Sequence, residues 1–91
     1  MVLVSYDISD DKLRTKFARD LSKYGFRLQY SLFQINNSEH LLDNFINILE
    51  NKYSSKFSQS DSVLIIRLNP NCKIDKYGYA KNEDSDYFVI G

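Results

Sequence analysis

At 91 residues the chain has room for one domain and not for two. Apolar residues make up 43% of it, which is enough for a globular core and argues against disorder, and its single cysteine, Cys72, excludes an intrachain disulfide or a cysteine-built metal centre. Twelve cations balance twelve anions, so net charge alone points to no polyanionic partner.

Residues 2–7 (VLVSYD), rich in β-branched side chains and bounded by turn formers, predict a strand that ends on Tyr6-Asp7 with Ile8 still apolar beyond. Ser9 or Asp10 can cap the helix that follows, and acids in its first turn suit the helix dipole. Asp7 is either a plain turn former in a strand–helix connection or a carboxylate placed at a strand end for a purpose. Leu13, Phe17, Leu21 and Tyr24 predict a helix over 11–24, stopped by Gly25. The run 26–35 (FRLQYSLFQI) alternates and then changes phase at Phe33 and Ile35. That shift predicts two short strands joined by a tight turn or bulge near Gln29–Ser31.

After the loop and cap Asn36-Asn37-Ser38, the positions Leu41, Leu42, Phe45, Ile46, Ile48, Leu49 and Tyr53 predict a second amphipathic helix. The polar connection 54–62 leads to VLIIRL (63–68), read as a compact buried strand closed by Asn69-Pro70-Asn71. KIDKYGYA (73–80) reads as a weaker strand and YFVI (87–90) as an apolar tail. The order βαββαβ with extra β material fits an α+β, ferredoxin-like sandwich, two helices on one face of an antiparallel sheet. That fold supports many unrelated functions.

The balanced net charge hides a segregation. Residues 12–27 carry Lys12, Arg14, Lys16, Arg19, Lys23 and Arg27 against Asp20 alone, six minus one or +5, leaving −5 for the remainder. On a wheel of ~100° per residue, Lys12, Lys16, Arg19 and Lys23 fall in one narrow stripe opposite the apolar arc. Like charges one turn apart repel by a few tenths of a kcal/mol per pair, and only Asp20 offers relief. The stripe is either a solvated face or a phosphate-backbone contact surface. Arg14 instead projects inside the apolar arc, where it needs an acid or a strand-end carbonyl. Asp7 is the nearest acid, so the two either pair structurally or line an anion-suited site at the helix N-terminus.

Asp10 and Asp11 point along the helix axis as capping residues, and His40, the one histidine, sits in the first turn of the second helix as a surface residue. Asp7 is left as a single carboxylate, a poor metal site. A twofold dimer would double it, and Mg²⁺ is commonly held by one or two carboxylates with water and substrate phosphate. Such a metal activates water and offsets charge at a phosphodiester.

The run YDISDDKLRTKFARDLSKYGFRLQYSLF resembles the N-terminal half of the small CRISPR-associated adaptation proteins of the Cas2 family. The resemblance is carried by Tyr6-Asp7-Ile8, the Asp10-Asp11 cap, Arg14, and the stretch from Tyr24 to Phe33. It is dense over residues 2–35 and looser through the second helix, VLIIRL and KYGYAK. It implies a homodimer of ferredoxin-like subunits with an additional C-terminal strand exchanged, residues 1–91 forming one domain whose segment 73–91 pairs across the dimer. It implies Mg²⁺, or Mn²⁺, on Asp7, and a nuclease-linked set of Tyr6, Asp7, Arg14, Arg27 and Phe33. Lys12, Arg14, Lys16, Arg19, Lys23 and Arg27 are then the expected nucleic-acid-binding residues. Lys16 stands where relatives have arginine, which removes a bidentate phosphate contact, and Gln34 stands where many have glutamate. Tyr30 and Phe33 equally fit a packed strand pair, and Arg27 an exposed strand position.

Two functions are compatible with these residues. One is a metal-dependent endonuclease acting on RNA or duplex DNA. The other is a spacer and phosphate clamp that bridges two dimers of the Cas1 integrase during spacer acquisition in antiviral defence, the chemistry belonging wholly to Cas1. One acid per chain and no histidine in reach is little equipment for catalysis, and an apolar tail suits docking. The adaptation role, with duplex prespacer DNA as ligand, is therefore expected as the main function. The chain opens directly on a strand pattern without a signal core, and no apolar run approaches the ~18 residues of a membrane span. A cytoplasmic protein with no membrane partner is expected.

Overall fold

In the structure, a computed structural model that describes residues 1–36 and 38–78, strand β1 (Val2–Asp7) runs through the middle of the sheet. Alternation along it sends Val4 and Tyr6 to one face, 0% and 4% exposed, and Asp7 to the other. Helix α1 (Asp11–Leu21), strands β2 (Gly25–Gln29) and β3 (Leu32–Ile35), helix α2 (Glu39–Ile48) and strand β4 (Ser62–Arg67) follow. The sheet order is β2-β3-β1-β4 with every neighbouring pair antiparallel. This is the ferredoxin-like α+β arrangement expected from the order of elements.

Of the two candidate caps, Asp10 holds α1: its carboxylate accepts the Leu13 N–H at 2.8 Å. The helix stops three residues earlier than its apolar spacing suggests. The N–H groups of Lys23 and Tyr24 donate to the Asp20 and Leu21 carbonyls at 3.0 and 2.9 Å, and these short-range bonds tighten the last turn. Gly25 then enters β2 pressed against β3, where a Cβ would stand 1.9 Å from the Gln34 carbonyl oxygen. The expected phase change is a register shift between Arg27 and Gln29, followed by a turn at Tyr30-Ser31.

Ser38 caps α2 by accepting the Leu41 N–H at 3.3 Å. Past Ile48 the helix widens into a π-helical turn, Leu49–Tyr53, and then tightens into a 3₁₀ turn, Ser54–Lys56. The wide turn delivers Tyr53 into the core, 0% exposed. There Phe17 is the hub, edge-on to Tyr6 and Tyr53 at 5.1 Å and to Phe45 at 5.9 Å. Truncating such a side chain to alanine costs about 3–5 kcal/mol.

β4 departs from the reading of a fully buried strand. Val63 and Ile65 pack on the core, but Leu64 is 59% and Ile66 37% exposed. Both helices lie on one face, so the alternate side chains of an apolar strand emerge on the other, where Ile66 stands opposite Leu3. The strand expected over 73–80 does not form in its described part. Residues 72–77 are irregular and Gly78 bends at φ +88°, with Ile74 and Tyr77 40% and 79% exposed, so these side chains give the segment little anchorage. Residues 79–80 and the apolar tail 87–90 lie outside the described residues. Among the described residues no helix is long and apolar enough to cross a membrane.

Candidate nucleic-acid interface and strand-end site

Asp7 leaves β1 on the face without helices, exposed and opposite Ser62. The turn after it is gripped from two sides. From α1, Arg14 donates to the Ile8 carbonyl at 2.9 Å and the Ser9 carbonyl at 3.5 Å, and pairs with Asp11. From the loop before β4, one oxygen of Asp61 accepts the Ser9 N–H at 2.9 Å and the Ser9 hydroxyl at 3.0 Å. The other accepts the Ser58 N–H at 2.8 Å. The Ser58 and Ser9 N–H donors hold the Asp61 carboxyl below its ordinary range.

A strand-end carbonyl, one of the two partners that could satisfy Arg14, is therefore present, and the structural pairing with Asp7, one of the two alternatives for that pair, is not formed. Asp11 lies one turn back on the same helix, whereas Asp7 faces the opposite side of the sheet. Asp61 escaped the sequence reading altogether. It lies 52 residues from Ser9, in a stretch that reads only as a polar connection.

Tyr6, Arg27 and Phe33 gather on the helix side. The Arg27 guanidinium stands 5.0 Å over the Phe33 ring, and the Tyr6 hydroxyl donates to the Tyr30 carbonyl at 3.4 Å. Burial pushes the Tyr6 phenol up, against the hydrogen bond and charge of Arg27. Tyr6 and Phe33 are 4% and 1% exposed, so both are core residues that shape the surroundings of Arg27. Tyr30, in contrast, is exposed. The nuclease-linked set is thus divided by the sheet: Asp7 on one side, Tyr6, Arg27 and Phe33 on the other, Arg14 at the rim.

Lys12, Lys16 and Arg19 are exposed on α1 and line one shallow groove with Asp11 and Thr15. Lys23 belongs to the turn after the helix and pairs with Asp20 at 3.5 Å. Asp20 does not lie out among the stripe. It is 7% exposed and accepts the Tyr53 hydroxyl at 2.5 Å and the Lys52 ammonium at 2.7 Å. Burial would raise its pKa, but the hydrogen bonds from Lys52 and Tyr53 outweigh burial and hold it below the ordinary range. The same burial, with Asp20 alongside, pushes the Tyr53 phenol up. His40 is exposed in the first turn of α2. Among the described residues no three of His, Cys, Asp and Glu stand close enough to hold a metal.

A family model described as CRISPR associated protein Cas2 matches residues 1–75. The chain belongs to the Cas2 family. The match runs from β1 past β4, so Asp7, the cationic row and Asp61 all lie inside the Cas2 unit. A CRISPR-associated endoribonuclease Cas2 of Rhodospirillum rubrum is 41% identical over 44 residues, 48% of this chain and 36% of that relative. The match thus spans little more than a third of the relative's length. The crystal structure of Streptococcus pyogenes Cas2 is similar with a TM-score of 0.62 at 25% identity, covering 77% of this chain and 87% of that one. A hypothetical protein of Thermus thermophilus is similar with a TM-score of 0.68 at 28% identity, covering 86% and 92%. A further Cas2 structure, 24% identical with a TM-score of 0.66, shares the fold over 98% of this chain and 95% of that one.

Proposed function

We propose that this Cas2 works as a homodimer in CRISPR adaptation, gripping duplex DNA by its backbone and bridging two dimers of the Cas1 integrase. The observation that carries the reading is the exposed row of Lys12, Lys16 and Arg19 on α1, continued by Lys23. Cations spaced one turn apart repel one another and are relieved by phosphates, which carry no sequence information and so suit a clamp for any spacer. The sheet face left uncovered among the described residues, with Leu64 and Ile66 exposed beside Leu3, supports a second copy: twofold packing sets one apolar patch against itself. Segment 73–91 is then the piece each subunit adds to its partner's sheet. The test is to reverse Lys12, Lys16, Arg19 and Lys23 to glutamate together and titrate a duplex by fluorescence anisotropy at about 100 mM salt. Binding is expected to be lost; affinity equal to that of the unaltered protein overturns the reading.

A second reading, metal-dependent phosphodiester cleavage, is favoured by one observation, the exposed Asp7 carboxylate at the end of β1. The Rhodospirillum rubrum relative, named an endoribonuclease, adds to it. Asp7 is a hard oxygen donor of the kind Mg²⁺ and Mn²⁺ take, and with one such acid per chain the two subunits would share the ion. When bound, the metal supplies an activated water and offsets charge on the phosphodiester. Arg14, at the rim of the strand end, would steady the phosphate, whereas Arg27 stays with Tyr6 and Phe33 on the other side of the sheet. An Asp7→Ala variant separates the readings. Loss of Mg²⁺- or Mn²⁺-dependent cleavage of RNA or duplex DNA, with Cas1-driven integration intact, makes the nuclease independent of adaptation. Loss of both makes Asp7 a working ligand in adaptation, and unchanged cleavage removes Asp7 from the chemistry.

A further inference from the structure

The buried carboxylate of Asp20 collects two ammonium groups, one on each oxygen. Lys23 stands 3.5 Å from Oδ1 and Lys52 2.7 Å from Oδ2, where the Tyr53 hydroxyl also donates at 2.5 Å. One cation balances one carboxylate, so the second leaves a surplus of positive charge. Arg19, four residues before Lys23 along the chain, adds to that surplus. Nor is Lys52 there by chance of a floppy side chain. Its neighbour Tyr53 is locked into the core, edge-on to Phe17 at 5.1 Å and stacked on Phe57, and the Lys52 ammonium lies 5.4 Å from the Tyr53 ring centre. The π-helical turn thus aims Lys52 back at the end of α1. Both lysine side chains stay within reach of solvent, 40% exposed for Lys52 and 68% for Lys23. An ammonium has three donors, enough to serve Asp20 and a phosphate oxygen together.

We infer that Lys52 contacts nucleic-acid phosphate, carrying the cationic row of α1 across to the π-helical turn after α2, with Asp20 and Tyr53 as its positioning residues. The inference rests on the backbone-binding reading proposed above and adds a second element to that surface. A merely structural tie between α1 and this turn uses the charge of Lys52 to satisfy Asp20 and nothing else; a phosphate contact also releases a counterion. Duplex DNA is titrated from about 50 to 200 mM salt with the unaltered protein, Lys52→Gln, Lys52→Arg and the fourfold reversal on α1. Lys52→Gln is expected to lower the steepness of log affinity against log salt by about 0.9 for each subunit whose Lys52 meets the duplex and to weaken binding several-fold, with Lys52→Arg restoring both. Comparing Asp20→Asn with Asp20→Asn/Lys52→Gln asks the same question with no buried carboxylate left unbalanced, should the single variant fold poorly. A Lys52→Gln slope equal to that of the unaltered protein overturns the inference, whatever happens to the melting temperature. Loss of binding in the fourfold variant alongside that unchanged slope sinks the inference alone. Unchanged binding in the fourfold variant sinks the parent reading and this one together.

Discussion

Replacing Tyr53 by phenylalanine removes one hydroxyl from the tie between α1 and the π-helical turn and leaves the ring in its place. That hydroxyl donates to a buried carboxylate at 2.5 Å. A hydrogen bond to a charged group is worth about 1.5–3 kcal/mol net. Lys52 and Lys23 remain on Asp20, so the acceptor is not orphaned and the lower part of that range, about 1.5–2 kcal/mol, applies. For a domain of this size each kcal/mol moves the midpoint by roughly 4–8 °C, so Tyr53→Phe is expected to melt about 6–16 °C lower at neutral pH. Thermal unfolding followed by circular dichroism measures it, at one protein concentration because association shifts the midpoint. The pH dependence sharpens the test. Asp20 is held below its ordinary value, so its contribution is fully present above the unfolded value of about 3.9 and is lost as pH falls through the folded one. The gap between the two proteins therefore narrows as pH falls from neutral to below that unfolded value. An unchanged midpoint at neutral pH, or a gap of equal size at both ends of that range, would refute the assignment of the carboxylate as the hydroxyl's partner.

Asp61→Ala frees the Ser9 N–H from its acceptor and is expected to speed exchange of the Ser9 amide and to weaken Mn²⁺ at the site proposed on Asp7, read by electron paramagnetic resonance. Equal affinity and equal protection would show that the Asp61 grip has no bearing on Asp7. Leu64→Glu places a charge on the uncovered sheet face and is expected to shift the mass seen by light scattering at micromolar concentration from dimer to monomer. A monomeric unaltered protein ends the dimer proposal. Gly25→Ala drives a methyl group into the Gln34 carbonyl and is expected to cost more than the ~1–3 kcal/mol of ordinary overpacking in urea unfolding. A cost near zero would mean that β2 can move off β3 freely.

Local pattern carried the fold well because each element is short and its apolar residues recur at the period of the structure they form. It could name Asp10 or Ser9 as the cap, since a cap lies next to what it caps, and it could place Arg14 on the inner arc of α1. It could not choose the partner of Arg14, because Asp7 and Asp11 are both near in sequence and only the face of the sheet separates them. Asp20 sits at the edge of the apolar arc, so a wheel leaves its direction open, and the deciding residues, Lys52 and Tyr53, lie 32 and 33 positions away. The widening of α2 after Ile48 has no signal in the apolar spacing, which continues to Tyr53 as though the helix were regular. VLIIRL looked buried on both faces because a chain does not record whether a second molecule lies against it. Asp61 is the clearest loss: two of the three hydrogen bonds its carboxylate accepts close a gap of 52 residues, and long-range closure leaves no local trace.

The central position of β1 has an evolutionary consequence. Tyr6 and Asp7 are adjacent, yet one seals the aromatic core and the other stands at the solvent-facing carboxylate, and both neighbours of β1 hold it in frame through Val4, set between Phe33 and Ile65. Slippage by one position would exchange the two, pushing a charge among Phe17 and Phe33 and a phenol out to water. A single-codon insertion or deletion within Val2–Asp7 would thus abolish core and carboxylate in one step. Length variation among descendants of this sequence is therefore barred from the first strand.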